Sequence, residues 1–267
     1  MNELALFAGA GGGVLASHLM GLRTICAVER DAYAAQVLAQ RQNDGFLPPF
    51  PIWSDVCSFD GRPWQGVVDV ISGGFPCQDI SSAGNGAGID GDRSGLWAEM
   101  ARIISEVRPY YVFVENSPML VSRGLTRVVS DLAEMGYDTQ WTRFSASNFG
   151  APHIRDRMWI MGYTAGKRLP QWTGDQMAGF SSIEELKRPG SNVSNPQGFG
   201  SQQAWDREAC FTKRIARGGG ERNWWATEPE LGRVADGVAC RVDRLKAIGN
   251  GQVPAVARSA FEYLRES

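Results

Sequence analysis

The sequence predicts a doubly wound α/β domain carrying a small irregular second unit, and three observations predict it. Over the first 162 residues short apolar runs alternate with helix-like stretches, the pattern of a parallel sheet wrapped by helices. A glycine-rich turn, "FAGAGGG", follows the first apolar run directly. From about Thr164 to Asp236 the periodicity gives way to Gly, Pro, Ser, Asn and Trp, and order returns in "RVDRLKAIGNGQVPAVARSAFEYLRES". The expected division is 1–162 for the sheet domain, 163–236 for the irregular unit and 237–267 for a return that completes the first.

The elements follow in order. "LALF" reads as the first strand and "VLASHLM" as the helix after it, then "TICAV" and "AYAAQVLAQR" repeat the pair. "IWSDV" is a third candidate strand, "VVDVI" a fourth, "LWAEMARIISEV" a helix and "YYVFVE" a fifth strand. "RGLTRVVSDLAEMG" has the period of a helix stopped at Gly136, and "DTQWTRFSA" and "RMWIMGY" read as two further strands. Within 163–236 only "SSIEELKR" hints at a helix. The final stretch shows a turn at Gly249–Gly251 and an amphipathic helix after it.

Composition narrows the class. A chain of 267 residues can bury one full core with a smaller insertion. No apolar run approaches the roughly 20 residues of a membrane span, and "MNELALFAGAG" has no basic stretch ahead of an apolar one, so a cytoplasmic protein is expected. The five cysteines, Cys26, Cys57, Cys77, Cys210 and Cys240, form no C-x-x-C pair and are expected reduced. With His18 and His153 as the two histidines, no metal site is expected. Residues 1–150 carry net charge -6 and the remainder +4, a mild basic bias that can face phosphate or simply water.

The strand ends carry the informative residues. Gly9, Gly11 and Gly12 sit where a strand turns into a helix, which lets backbone approach a nucleotide-like ligand, although close strand-helix packing also favours glycine. Glu29, about 20 residues on, ends the second strand, where a carboxylate can accept both hydroxyls of a ribose. Asp55 ends the third and can accept from an adenine amino group or cap a helix. Cys77 follows "GGFP" at the end of the fourth strand and Glu115 ends the fifth, so a thiol and an acid are expected on one edge with the adenosine site. A structural thiol and a satisfied structural carboxylate are the alternatives for these two.

Taken in order, "FAGAGG", Glu29, Asp55, "GGFPCQ", "RSGLW", "VFVENS", "FGAPHIRDR" and "GNGQVP" resemble the cytosine-5 DNA methyltransferases, especially short phage-like and bacterial members. The resemblance covers nearly the whole chain. It implies a Rossmann-like domain that binds S-adenosyl-L-methionine, with 163–236 as a target-recognition part. It further implies a double-stranded DNA substrate, a monomer, and a restriction endonuclease cutting the same site as a separate counterpart.

The resemblance also assigns roles. C5 of cytosine is a poor nucleophile, so a thiolate adding to C6 and a proton given toward N3 must make it enamine-like first. Cys77 is then the nucleophile and Glu115 the N3 partner. Arg157 should reach the cytosine O2 and brace Glu115, with Arg155 supporting the site or a phosphate. Gln78 and Ser81 should lie on the DNA side, and "SSAGNGAGIDGDRSG" should close over the flipped-out nucleotide. The cofactor pocket should be formed by Phe7, Ala8, Gly9, Gly11, Gly12, Glu29, Arg30, Asp55, Val56, Pro76 and Leu96, and completed by Asn250 and Val253.

Some positions depart from the family's pattern. Ala5 stands where Asp is frequent, Arg30 where an aromatic often covers adenine, Ser117 in place of Val and His153 in place of Gln. Three other readings stay open on the sequence: an RNA cytosine-5 methyltransferase on the same scaffold, a catalytically silent DNA-binding relative, and a thiol hydrolase using Cys77 with His153.

Overall fold

The computed structural model describes residues 1–76, 96–151, 153–164 and 241–266. Its strands are β1 (Asn2–Leu6), β2 (Arg23–Val28), β3 (Ile52–Trp53), β4 (Val70–Gly73), β5 (Tyr111–Asn116), β6 (Tyr137–Ser145) and β7 (Asp156–Thr164). They form one sheet in the order β3-β2-β1-β4-β5-β7-β6. Strands β1 to β5 pair in parallel. β7 is antiparallel to both β5 and β6, so the sheet is mixed at that edge. The reversal follows from the short connection: Ala146–Phe149 forms a 3-10 turn after β6, closed by Gly150 at φ 81°, too short for a crossover helix.

Strand residues alternate between two buried faces, as a sheet covered on both sides requires. On one face Leu4, Leu6, Val28, Ile71, Val112 and Val114 meet α3 (Leu96–Val107) and α5 (Leu125–Glu134) through Met100, Ile103, Ile104, Val128 and Leu132. On the other, Val70, Tyr111, Phe113 and Trp159 meet α1 (Gly12–Leu19) and the final helix, Pro254–Glu266, through Ala16, Met20, Ala257, Phe261 and Leu264. α2 (Ala32–Asn43) adds Leu38 beside Ala5, Val14 and Ala27. The sheet with helices on both faces is the Rossmann-like arrangement.

The C-terminal return therefore supplies core. Two helices make it, Arg241–Asn250 and Pro254–Glu266, hereafter α6 and α7, once the short α4 (Leu120–Arg123) is counted before α5. The sequence pattern showed α7 and a turn at Gly249–Gly251; the structure adds α6 before them, which takes Gly249 and Asn250 of that turn into its last turn. The helix expected to end at Gly136 is α5, which starts after Gly124 and stops with Gly136 at φ 84° as anticipated, and the short α4 precedes it.

Beneath the sheet lies a buried polar cluster. Glu3 is fully buried, and its carboxylate accepts hydrogen bonds from Ser17 (2.6 Å), Ser72 (2.5 Å) and Thr24 (2.5 Å). Burial pushes its carboxyl above the ordinary range, against the lowering by those three hydroxyls.

Candidate active site

The order of strands reverses between β1 and β4, because the chain passes from β1 toward β3 in one direction and from β4 toward β5 in the other. Crevices outside the carboxyl ends of strands at such a switch point are where doubly wound sheets bind ligands. A cavity of about 30 Å³ lies there, lined by Phe7, Ala8, Gly9 and Gly13, by Gly73, Gly74 and Glu115, and by Asn250 to Gln252.

The glycine turn is shaped by its backbone. Phe7 has φ 53°, a left-handed conformation that costs a bulky residue about 1–3 kcal/mol and turns the chain sharply out of β1. Gly11 has φ 88°, a conformation that requires glycine, and a Cβ on it would also press on Leu38 Cδ2 at 2.6 Å. The Gly9 N–H donates to Glu29 Oε2 at 2.6 Å, and the other oxygen of Glu29 accepts from the Asp31 N–H at 2.6 Å. An ionised carboxylate has about four acceptor positions, so Glu29 can still accept from ribose hydroxyls.

Asp55 caps the 3-10 turn Val56–Ser58, accepting from the Cys57 N–H at 3.0 Å. That bond holds its carboxyl below the usual range, and Arg30 adds to the lowering. The capping role thus exists, and it occupies Oδ1. Val56 is buried in the core, while Leu96 and Phe7 are partly buried against that same core cluster. Asn250 lines the cavity, and Val253 packs on the α7 side. Pro76 is the last described residue before Cys77; Cys77, Gln78 and Ser81 lie outside the described residues.

The acid expected at the end of β5 is buried and paired. Glu115 Oε1 lies 2.7 Å from Arg157 Nε, across the β5-β7 pairing that sets Glu115 opposite Trp159. Burial pushes the Glu115 carboxyl up, while Arg157, Arg155 and the amide of Gln252 pull it down. Arg155 does something the sequence did not suggest. Its Nη2 donates to the carbonyls of Gly249 (2.8 Å) and Gly251 (2.6 Å), holding the turn between α6 and α7 at the cavity. The helix before this turn, α6, is itself tied by Lys246, which bonds Asp31 at the amino end of α2 and holds that carboxyl below the usual range.

Sequence reasoning missed Lys246 and Gln252. Gln252 sits inside the "GNGQVP" motif, where only Asn250 and Val253 drew attention, and its contacts are long-range. Ser117 is partly buried and His153 exposed.

Comparison with known proteins decides the family. A model of the C-5 cytosine-specific DNA methylase family matches residues 1–215. The chain belongs to this family. A Type II methyltransferase, M.CviJI, of Paramecium bursaria Chlorella virus IL3A is 35% identical over 162 residues, 60% of this chain and 42% of that one. Another, M1.ScrFI of Lactococcus lactis subsp. cremoris, is 30% identical over 226 residues, 80% of this chain and 56% of that one. The chain thus spans about half the length of these relatives. A solved structure of the Entamoeba histolytica methyltransferase EhMeth covers 100% of this chain and 98% of its own, with TM-score 0.63 and 16% identity, a likeness of fold.

For a C-5 cytosine-specific DNA methylase the cofactor is S-adenosylmethionine, and the residues present fit it. Gly9 lines the switch-point crevice with open space where a Cβ would meet nothing within 4 Å, and Glu29, which accepts from the Gly9 N–H, keeps acceptor positions free. Among the described residues no helix is long and apolar enough to cross a membrane.

Proposed function

We propose that this C-5 cytosine-specific DNA methylase methylates C5 of a cytosine flipped out of duplex DNA, with Cys77 as nucleophile and Glu115 as proton donor. The observation that carries the reading is the pairing of buried Glu115 with partly exposed Arg157 on the carboxyl edge of the sheet, beside Gly73 and Gly74 that lead into "FPC". S-adenosylmethionine, when bound, supplies a sulfonium methyl group to C5. Gly9, Glu29 and Asp55 would hold its adenosine part, and Asn250 would border the rest.

The chain's own residues do the remainder. The Cys77 thiolate forms a bond to C6 as Glu115 gives a proton to N3, so the ring electrons move to C5. After methylation C5 loses its proton to a base, the bond from sulfur to C6 breaks, and the N3 proton returns to Glu115. Arg157 fixes the orientation of Glu115 and its fork has donors left for a base oxygen. Arg155 holds the C-terminal return in place while the site is formed.

Segment 163–236 would choose the target sequence, with Gln78 and Ser81 on the DNA side. The named relatives are Type II methyltransferases, which supports a restriction endonuclease of the same specificity as a separate counterpart. The protein would act as a cytoplasmic monomer. The test is transfer of labelled methyl from S-adenosylmethionine to unmethylated genomic DNA, with RNA as a parallel substrate, followed by bisulfite-type sequencing. Label fixed at C5 of cytosine in a recurring DNA context is expected; label in RNA alone, or none from a folded preparation, would overturn the reading.

A further inference from the structure

Gln252 reaches from the C-terminal return into the gap between β1 and β4. Its backbone carbonyl lies where a Cβ on Gly12 would come within 2.2 Å, and its side-chain oxygen where one on Gly13 would come within 2.5 Å. A Cβ on Gly74 would meet Glu115 Oε2 at 2.6 Å and the Gln252 amide nitrogen at 3.6 Å. Three glycines from the two glycine motifs therefore leave room for Gln252 and for its meeting with Glu115. Gly12, expected to face cofactor, has its side-chain position filled by this carbonyl.

The Gln252 amide lies beside the Glu115 carboxylate at Gly74 and pulls its carboxyl down as a donor does, while Arg157 lies 2.7 Å from Oε1. A carboxylate gripped at one oxygen by Arg157 alone can still turn about that contact. A second donor from a different element fixes its plane. Gln252 in turn is held by Arg155, whose guanidinium binds the carbonyl of Gly251, the residue before it.

We infer that Gln252 is a positioning residue for the reaction: it orients Glu115 toward the base and links that acid to the wall of the cofactor pocket, which it also lines. This rests on the reading of Glu115 given above. The charged groups acting on Glu115 among the described residues are Arg157 of β7 and Arg155 just before it; the chain just after β4 meets it with the neutral Gly74. Losing a donor to the carboxylate favours its protonated form. The alkaline limb of the rate should then move to higher pH as the plateau falls through misorientation.

The experiment compares wild type with Gln252→Met, of similar length without a donor, and Gln252→Glu, of similar length with a like charge. Methyl transfer to unmethylated genomic DNA is measured at saturating S-adenosylmethionine across mildly acid to alkaline pH, and each variant's thermal midpoint is recorded. Expected is a plateau loss of roughly tenfold for Met and an alkaline limb shifted upward in both, further in Glu. Gly74→Ala, which pushes the two groups apart and leaves the amide intact, should shift the limb the same way and serves if the Gln252 variants do not fold. If folded variants keep the wild-type limb while Glu115→Gln abolishes turnover, the inference fails and the reading of Glu115 stands. If Glu115→Gln keeps the wild-type rate and limb, both fall.

Discussion

Arg157 Nε and Glu115 Oε1 lie 2.7 Å apart across two antiparallel strands, and the acid is nearly buried. Glu115 keeps a raised pKa because burial outweighs its cationic neighbours. A group whose folded pKa is raised contributes stability at acid pH that is lost as pH rises through that pKa. Arg157→Met removes a cation that lowers it, so the pKa rises further. The variant should lose about 1–3 kcal/mol at mildly alkaline pH, and the loss should shrink as pH falls toward the ordinary carboxylate range. Thermal melts of both proteins across pH check this; a loss independent of pH would mean the pair does not govern Glu115.

Glu115→Gln keeps shape and burial but removes the transferable proton. Turnover should fall by roughly 10²-fold or more, the usual scale for a positioned acid or base. Affinity for S-adenosylmethionine, measured by calorimetry, should change little, since in the proposed function Gly9 and Glu29, not Glu115, hold the adenosine end. A large loss of cofactor affinity with unchanged single-turnover chemistry would move Glu115 from the base to the cofactor.

Glu3 offers a contrasting acid, fully buried and held by three hydroxyls. Glu3→Leu leaves the hydroxyls of Ser17, Ser72 and Thr24 without their acceptor, and should destabilise by several kcal/mol at about 1–3 kcal/mol for each buried polar group left unpaired. Glu3→Gln should cost less, because hydroxyls can turn and accept from the amide. Its deficit should narrow as pH rises, since wild type loses stability on ionising Glu3 above the usual carboxylate range and glutamine does not titrate. Denaturant midpoints at two pH values read this directly.

The strands and their end residues were legible because their signal is local: apolar runs of fixed period, then Gly, Glu, Asp or Glu at the exit. That was enough to expect Glu29, Asp55 and Glu115 along one edge. Asp55 shows the limit, since a carboxylate before a turn looks alike whether it caps or binds, and here it caps. The reversed β7 was not legible from its apolar run, because strand direction is set by the length of the link before it. Arg155 was read as a site residue and its partners were not, for they are carbonyls nearly a hundred positions away. Gln252 carries no periodic or charge signal, and only the packing of Gly12, Gly13 and Gly74 around it reveals it.

The segment 163–236 contains none of the catalytic motifs, which flank it on both sides. Grafted into another C-5 cytosine-specific DNA methylase in place of that protein's own segment, it should carry the target sequence with it. Bisulfite-type sequencing of DNA from cells expressing the chimera reads the result. Methylation that still follows the host scaffold would place specificity elsewhere in the chain.

The final test concerns Cys77 itself. If its thiolate adds to C6 and the methyl group arrives at C5, the bond from sulfur to C6 can break only after C5 loses its hydrogen as a proton. Fluorine at C5 cannot leave that way, so duplex DNA carrying 5-fluorocytosine at the target should trap a covalent adduct in the presence of S-adenosylmethionine. The adduct should survive denaturation and map to Cys77 by peptide mass. Cys77→Ser should abolish trapping while cofactor affinity persists, because Gly9 and Glu29 lie on β1 and β2 ends rather than on the turn after β4. A thiol hydrolase would need no methyl donor, a silent DNA-binding protein would trap nothing, and an RNA enzyme would trap the RNA analogue instead. An adduct mapping to Cys57, the exposed thiol near Asp55, would show that another thiol does the chemistry, and the assignment of Cys77 would fall.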